Sequence, residues 1–102
     1  MNSEENIGDD KPVPLEINGV LDLHRFRPKD IGRLIPDYIE ACLARNIYEI
    51  RIIHGKGTGQ LRESVHSILR KDVRVASFAL ATDRSAWGAT LVKLVTPLNS
   101  LY

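Results

Sequence analysis

The sequence HGKGTG holds three glycines in five positions, Gly55, Gly57 and Gly59, directly after an apolar run. Glycines lack a Cβ and let backbone amides approach an anion closely, and the helical pattern that follows would direct free N–H groups toward it. Lys56 and Arg62 add positive charge in the loop and in the first helical turn. The pattern predicts an anion-binding loop, because the simpler alternative, a tight strand-to-helix turn, needs only one glycine.

This loop does not match the known nucleotide-binding loops. A Walker A loop needs a second glycine five positions after the first, followed by Lys-Ser or Lys-Thr, but Gln60 stands there and Leu61 and Arg62 follow. The dinucleotide pattern needs a third glycine, and positions 60 and 62 do not supply it. We therefore expect no nucleotide cofactor, and the loop keeps only the general features of an anion-binding site.

Three further side chains should converge on the same place. Asp22 and His24 are two positions apart on a predicted strand, so we expect them to share one face of it. His54 ends the next strand, and ligands of open α/β sheets lie beyond the carboxyl ends of parallel strands. Together with the loop, these residues should surround one anion-sized space. His66, in the middle of a predicted helix, is predicted to be a surface residue.

The first half of the chain predicts a strand and a helix after a polar segment. Residues 1–13 are acidic and without periodicity, so we expect a disordered leader. Asn18-Gly19 is typical of a hairpin, and VLDLH indicates a buried strand. Apolar residues then recur every three or four positions in a helix that Pro36 should kink and Asn46 should end. Cys42 lies on the apolar face of this helix and is predicted to be a core residue.

The second half predicts three more strands and a second helix. The strands cover residues 47–53, 73–81 and 89–95, with the helix after the glycine loop and a short antiparallel turn at TDRSAWG. The order predicts an α/β protein, a two-layer βαβαββ sandwich with a four-stranded mixed sheet and a right-handed first crossover.

Composition limits the partners and the compartment. A chain of 102 residues fits one domain, and its single cysteine excludes an internal disulfide, which favours the cytoplasm. We find neither a signal peptide nor an apolar run long enough to cross a membrane. Residues 1–19 carry five acids and one lysine, a net charge of −4, whereas residues 20–102 carry thirteen basic and eight acidic residues, a net charge of +5. The basic remainder permits a polyanionic partner.

Three segments resemble the motifs of the Smr (small MutS-related) domain: LDLH, IIHGKGTGQLR and GATLVKL. Their order matches the family, and 29 residues separate His24 from His54, as the family spacing requires. The resemblance implies a Smr domain over residues 14–96 that stands alone, followed by a tail at 97–102. It also implies a fold like the C-terminal domain of translation initiation factor three. Several members of the family nick DNA or cleave RNA, some on stalled ribosomes.

The resemblance also implies the site residues. Those carried over as catalytic are Asp22, His24 and His54, and those carried over as phosphate-binding are Gly55, Lys56, Gly57, Gly59 and Arg62. The family usually has glycine after LDLH, where this chain has Arg25, either an added phosphate contact or a bulky residue that narrows the site.

Our leading hypothesis from the sequence is an endonuclease. His24, oriented by Asp22, would act as general base or acid with His54 as its counterpart, while the loop holds the scissile phosphate. No metal site is expected, since carboxylates are too few for a pair of ions; RNA ranks above DNA, whose nicking would call for a divalent metal. The rival hypothesis is a non-catalytic module that binds nucleic acid or the ribosome.

Overall fold

A computed structural model describes residues 15–82 and 88–97 of the chain. Its strands are β1 (Val20–Asp22), β2 (Glu49–Ile53), β3 (Val75–Leu80) and β4 (Ala89–Leu94). Its helices are α1 (Ile31–Ala44) and α2 (Gln60–Arg70), and two short 3-10 turns, Leu23–Arg25 and Pro28–Asp30, join β1 to α1. The predicted leader and tail, and the turn predicted at TDRSAWG, lie mostly outside the described residues.

The four strands form one mixed sheet in the order β1-β2-β4-β3. β1 and β2 are parallel, whereas β4 is antiparallel to both of its neighbours. Both helices pack on one face of this sheet, where a single apolar cluster joins them to the inward-facing strand residues. Among the described elements none covers the opposite, open face, where Val20 and Leu91 are exposed. The predicted two-layer α/β sandwich with a mixed sheet is confirmed.

Helix α1 follows the predicted pattern closely. Its buried residues keep the spacing of three and four positions: Ile31, Ile35, Tyr38, Ile39 and Cys42. The helix does not end at Pro36 but continues to Ala44, and Asn46 follows with a φ of 61°. Asparagine tolerates this left-handed conformation better than most residues, so it ends the helix as predicted. Burial also raises the pKa of the Cys42 thiol, in keeping with its predicted place in the core.

The hairpin predicted at Asn18-Gly19 is wrong. Gly19 does have a positive φ of 94°, but the strand that follows it pairs in parallel with β2. Side chains accept hydrogen bonds from the backbone amides of this turn. Asn18 Oδ1 accepts from the Val20 amide at 2.9 Å, and Tyr38 Oη accepts from the Gly19 amide at 3.0 Å. These contacts make the turn the entry to β1 instead of a link between two antiparallel strands.

Several predicted strands were too long. The first stops at Asp22 instead of His24, because Asp22 Oδ1 accepts from the His24 amide at 3.0 Å and caps the 3-10 turn that begins at Leu23. The third begins at Val75, whose amide donates to the carbonyl oxygen of Asp72 at 3.0 Å in a turn that leaves Val73 91% exposed. Local hydrogen bonds of this kind compete with the sheet and are invisible to hydrophobic periodicity.

None of the helices in the described ranges is both long and apolar enough to span a membrane.

Tyr38 pins the start of the sheet to α1 and generates a stability prediction. Its hydroxyl accepts from the Gly19 amide and donates to the Val20 carbonyl oxygen at 3.1 Å, with the side chain only 1% exposed. Tyr38→Phe leaves these backbone groups without their partner, so we expect the free energy of unfolding in urea to fall by about 1–3 kcal/mol.

Tyr48→Phe is the matched control for this change. The Tyr48 hydroxyl donates to Asn46 Oδ1 at 3.1 Å in an exposed contact, so its loss should change the unfolding free energy by less than about 0.5 kcal/mol. Equal losses in the two variants would contradict the pinning role of Tyr38.

Candidate functional site

Asp22 and His24 form a hydrogen-bonded pair in the turn that follows β1. Asp22 Oδ1 lies 2.7 Å from His24 Nδ1, and both side chains are exposed. A carboxylate can only accept, so Nδ1 of the neutral ring carries the proton and Nε2 keeps its lone pair. The His24 amide is the main group that lowers the pKa of Asp22, and the His24 ring and Arg25 lower it further, against the opposing effect of burial.

Gly55 brings the glycine loop against the ring of His24. Its φ is +83°, and a Cβ built on it would lie 3.3 Å from His24 Nε2. The amides of His54 and Gly55 both donate to the carbonyl oxygen of Gly88, at 3.0 and 2.8 Å. Gly55 therefore contributes conformation and close approach to the site, while its amide is already engaged within the fold.

The glycine loop lines a pocket of about 320 Å³ together with His54, Pro28 and the start of α2. Lys56, Gly57 and Thr58 are exposed. The amides of residues 56–59 donate to no acceptor in the described part of the chain. This pocket can therefore offer several N–H groups and one lysine to an anion at the positive end of a helix.

Gly59 and Arg62 form the far wall of the pocket. Gly59 has a φ of +91° and precedes the first residue of α2. A Cβ on Gly59 would lie 2.7 Å from Arg62 Nη2, so the guanidinium group occupies the space beside this glycine. Arg62 Nε is 4.0 Å from Glu63 Oε2, the one carboxylate that pairs with this guanidinium group within residues 15–82 and 88–97.

His54 also lines the pocket, although it is almost fully buried. Its side chain is only 5% exposed, and both ring nitrogens have partners: Nδ1 is 2.9 Å from the Gly55 carbonyl oxygen, and Nε2 is 2.9 Å from Thr90 Oγ1. The structure thus brings His24 and the loop together at the surface, and His54 borders the pocket with both ring nitrogens hydrogen-bonded within the fold.

His66 is partly buried and hydrogen-bonded, whereas the sequence predicts a plain surface residue. Its Nε2 lies 2.8 Å from Thr90 Oγ1, and its ring packs 4.8 Å from that of Phe78 and 6.2 Å from that of His54. Sequence reasoning missed both His66 and Thr90. The available signal was Thr90 itself, since strand alternation places it with Val92 on the buried face, where a polar side chain needs a partner.

Arg25 lies at the surface beside His24. It ends the 3-10 turn, and its side chain is exposed. In residues 15–82 and 88–97, no group of three or more His, Cys, Asp or Glu side chains is placed to hold a metal ion.

The fold and the histidine–glycine loop define a class of small α/β sandwich domains. The family model for the Smr domain matches residues 21–95, and the chain belongs to the Smr domain family.

Known relatives agree with this assignment. The chain is 40% identical over 87 residues to an endonuclease MutS2 of Solidesulfovibrio magneticus, covering 81% of this chain and 11% of the relative. It is 38% identical over 79 residues to that of Leuconostoc mesenteroides, covering 76% of this chain and 10% of the relative. The chain thus spans about a tenth of the length of these relatives.

Two solved structures share the fold. The Smr domain of Thermus thermophilus MutS2 superposes with a TM-score of 0.70 at 33% identity, over 76% of this chain and 99% of that one. YdaL, a stand-alone small MutS-related protein from Escherichia coli, gives a TM-score of 0.67 at 25% identity, over 74% of this chain and 63% of that one.

The environment of His66 predicts a pH-dependent stability. Burial is the main cause that lowers its pKa from the ordinary 6.5; the nearby His54, Arg70 and Arg62 lower it further, and Glu63 opposes them. The unfolded chain therefore binds this proton more tightly than the folded chain does. The stabilisation is complete above the ordinary pKa and is lost as the pH falls through the lowered one.

His66→Gln should flatten this dependence, because glutamine does not titrate. We expect urea unfolding measured from neutral to mildly acidic pH to show a steeper loss of stability in the wild type than in the variant. Parallel curves would contradict the burial of a neutral His66.

Proposed function

We propose that this Smr domain binds nucleic acid and acts as an endonuclease, with RNA as its preferred substrate. The observation that supports this most is the position of His24 Nε2. It lies against Gly55 at the edge of the anion pocket, while Asp22 accepts from the opposite nitrogen of the ring. A base with a free lone pair beside a pocket lined by amides that are unbonded within the described residues is suited to phosphodiester cleavage.

In this proposal, the pocket holds the scissile phosphate. The amides of residues 56–59 and the start of α2 contact the phosphate oxygens, and Lys56 and Arg62 offset the charge that grows on them during the reaction. Gly55 and Gly59 hold the loop in the conformation that exposes these amides, and Gly57 leaves room for the ligand.

His24 then acts as the general base, and Asp22 keeps its ring in the required tautomer. On RNA, the proton of the ribose 2′-OH passes to His24 Nε2 as the 2′-oxygen bonds to phosphorus. The bond to the 5′-oxygen breaks, and solvent supplies the proton that this leaving group needs. We assign no proton transfer to His54, since both of its ring nitrogens are already hydrogen-bonded.

A second candidate is a module that binds nucleic acid or the ribosome without cleaving it. Arg25 favours it, because this exposed side chain stands directly beside His24, where the sequence motif usually has glycine. Arg25 could add a phosphate contact and at the same time crowd the reacting atoms. The DNA alternative would require a divalent metal and a different role for Asp22.

Binding led by phosphate contacts should depend on Lys56. We expect Lys56→Ala to weaken binding to labelled single-stranded RNA and to reduce the slope of log affinity against log salt by about one. Lys93→Ala is the matched control, since Lys93 is an exposed lysine of β4 on the open face of the sheet. Equal effects of both substitutions would indicate nonspecific attraction instead of a site.

Cleavage should need His24 and the ribose 2′-OH. We expect purified protein to cut single-stranded RNA in the presence of chelator, leaving a 2′,3′-cyclic phosphate that mass spectrometry identifies. His24→Ala should reduce the rate by roughly 10²–10⁴-fold while RNA binding persists. A deoxyribose at the cleavage position should stop the reaction without preventing binding.

Three outcomes would redirect the proposal. A 5′-phosphate product, or activity that chelator abolishes and magnesium restores, would rule out the metal-free mechanism and make Asp22 a metal ligand. Nicking of supercoiled plasmid without RNA cleavage would make DNA the substrate. If neither substrate is cut, the binding module is the better account, and Arg25→Gly then tests whether arginine suppresses cleavage.

A further inference from the structure

Two buried polar residues, His54 and Thr90, and the partly buried His66 form a continuous hydrogen-bonded chain next to the glycine loop. It runs from His66 on α2 through Thr90 on β4 to His54 after β2, and ends at the carbonyl oxygen of Gly55. We propose that His66 and Thr90 are positioning residues that act through His54 to aim the Lys56 amide at the anion. The inference rests on the proposed function only in taking that anion to be a nucleic-acid phosphate.

The direction of every bond in this chain follows from the carbonyl at its end. The Gly55 oxygen can only accept, so His54 Nδ1 donates to it. A neutral imidazole has one N–H, and His54 Nε2 must therefore accept from the Thr90 hydroxyl. That hydroxyl has a single proton, so His66 Nε2 must donate to Thr90 Oγ1. The chain has one consistent arrangement when both rings are neutral.

This arrangement fixes the peptide that joins Gly55 to Lys56. A trans peptide is planar, and its C=O and N–H point in opposite directions. Since the Gly55 carbonyl is held toward buried His54, the Lys56 N–H points away from it, on the side of the exposed loop. The preceding peptides are also held, because the amides of His54 and Gly55 donate to the Gly88 carbonyl oxygen.

The packing of His66 and Thr90 holds the hydrogen-bonded chain in one arrangement. Thr90 is fully buried and His66 packs on Phe78, so the donor that starts the chain is held by the core. Removing the Thr90 hydroxyl frees the His54 ring to turn or to exchange tautomers, and the Gly55 carbonyl loses the partner that orients it. Neither His66 nor Thr90 lines the pocket, so both would act only through His54.

The tautomers of the two histidines test the inference without any ligand. At mildly alkaline pH, long-range ¹H–¹⁵N correlation spectra of the wild type should show His54 with its proton on Nδ1 and His66 with its proton on Nε2. A proton on Nε2 of His54 would overturn the chain, because Nδ1 could not then donate to Gly55. This measurement stands whether or not the protein binds nucleic acid.

Two pairs of variants test the effect on the loop. Thr90→Val removes the hydroxyl at nearly constant volume, and Thr90→Ser keeps it; His66→Leu removes the donor, and His66→Gln retains an N–H at a similar distance. We expect Val and Leu to shift the Lys56 amide resonance and to weaken binding of labelled single-stranded RNA about tenfold. Thr90→Ser and His66→Gln should both keep the Lys56 amide resonance and the RNA affinity close to those of the wild type.

The controls separate this inference from the proposed function. Dispersed amide spectra would show that each variant is folded. If Thr90→Val unfolds, the two His66 variants and the tautomers of the wild type still test the positioning role. A Lys56 amide that does not move, or equal losses in the conservative and the disruptive variants, would overturn the positioning role. If the wild type binds no RNA but the tautomers and the Lys56 shifts are as expected, the inference holds and the proposed function fails.

Discussion

The parallel pairing of β1 with β2 is the constraint on which the site depends. The register places Asp22 beside Ile53, so the residues that follow, His24 and Gly55, emerge level with each other at the same edge. β1 has only three residues, and Tyr38 of α1 holds the start of this strand through hydrogen bonds to Gly19 and Val20. A slip of one residue would turn Leu21 out of the core, so the hydrophobic pattern that stabilises the sheet also fixes the distance between histidine and loop.

The two histidines that the sequence places at this edge differ in what they can do. His24 is exposed and bonded through one nitrogen, whereas His54 is buried and bonded through both. Their strands end at the same edge, but the turn after β1 projects outward while His54 continues the buried face of β2. Burial therefore distinguishes the two rings, because a proton can be exchanged with a ligand only where a ring nitrogen is accessible.

Sequence patterns predict those parts of the fold in which apolar spacing or one special backbone angle decides the structure. Cys42 in the core, the end of α1 at Asn46, the order of elements and the loop at the carboxyl edge belong to this group. The patterns fail where a polar side chain competes for a backbone group, as Asp22 does when it ends β1. They fail again where two polar residues distant in sequence satisfy each other, as His66 and Thr90 do, since neither residue alone indicates the other.

The three glycines of the loop show how far the fold alone explains the sequence. Gly55 and Gly59 have positive φ angles, and a side chain on either would press on His24 or Arg62. Gly57 has neither restriction, since a Cβ built there would meet no atom within 4 Å. The fold would accept alanine at this position, and a glycine offers it no stability. What a side chain at Gly57 would fill is the open space above the loop, where we propose that the phosphate binds, so this glycine is better explained by the proposed function than by the architecture.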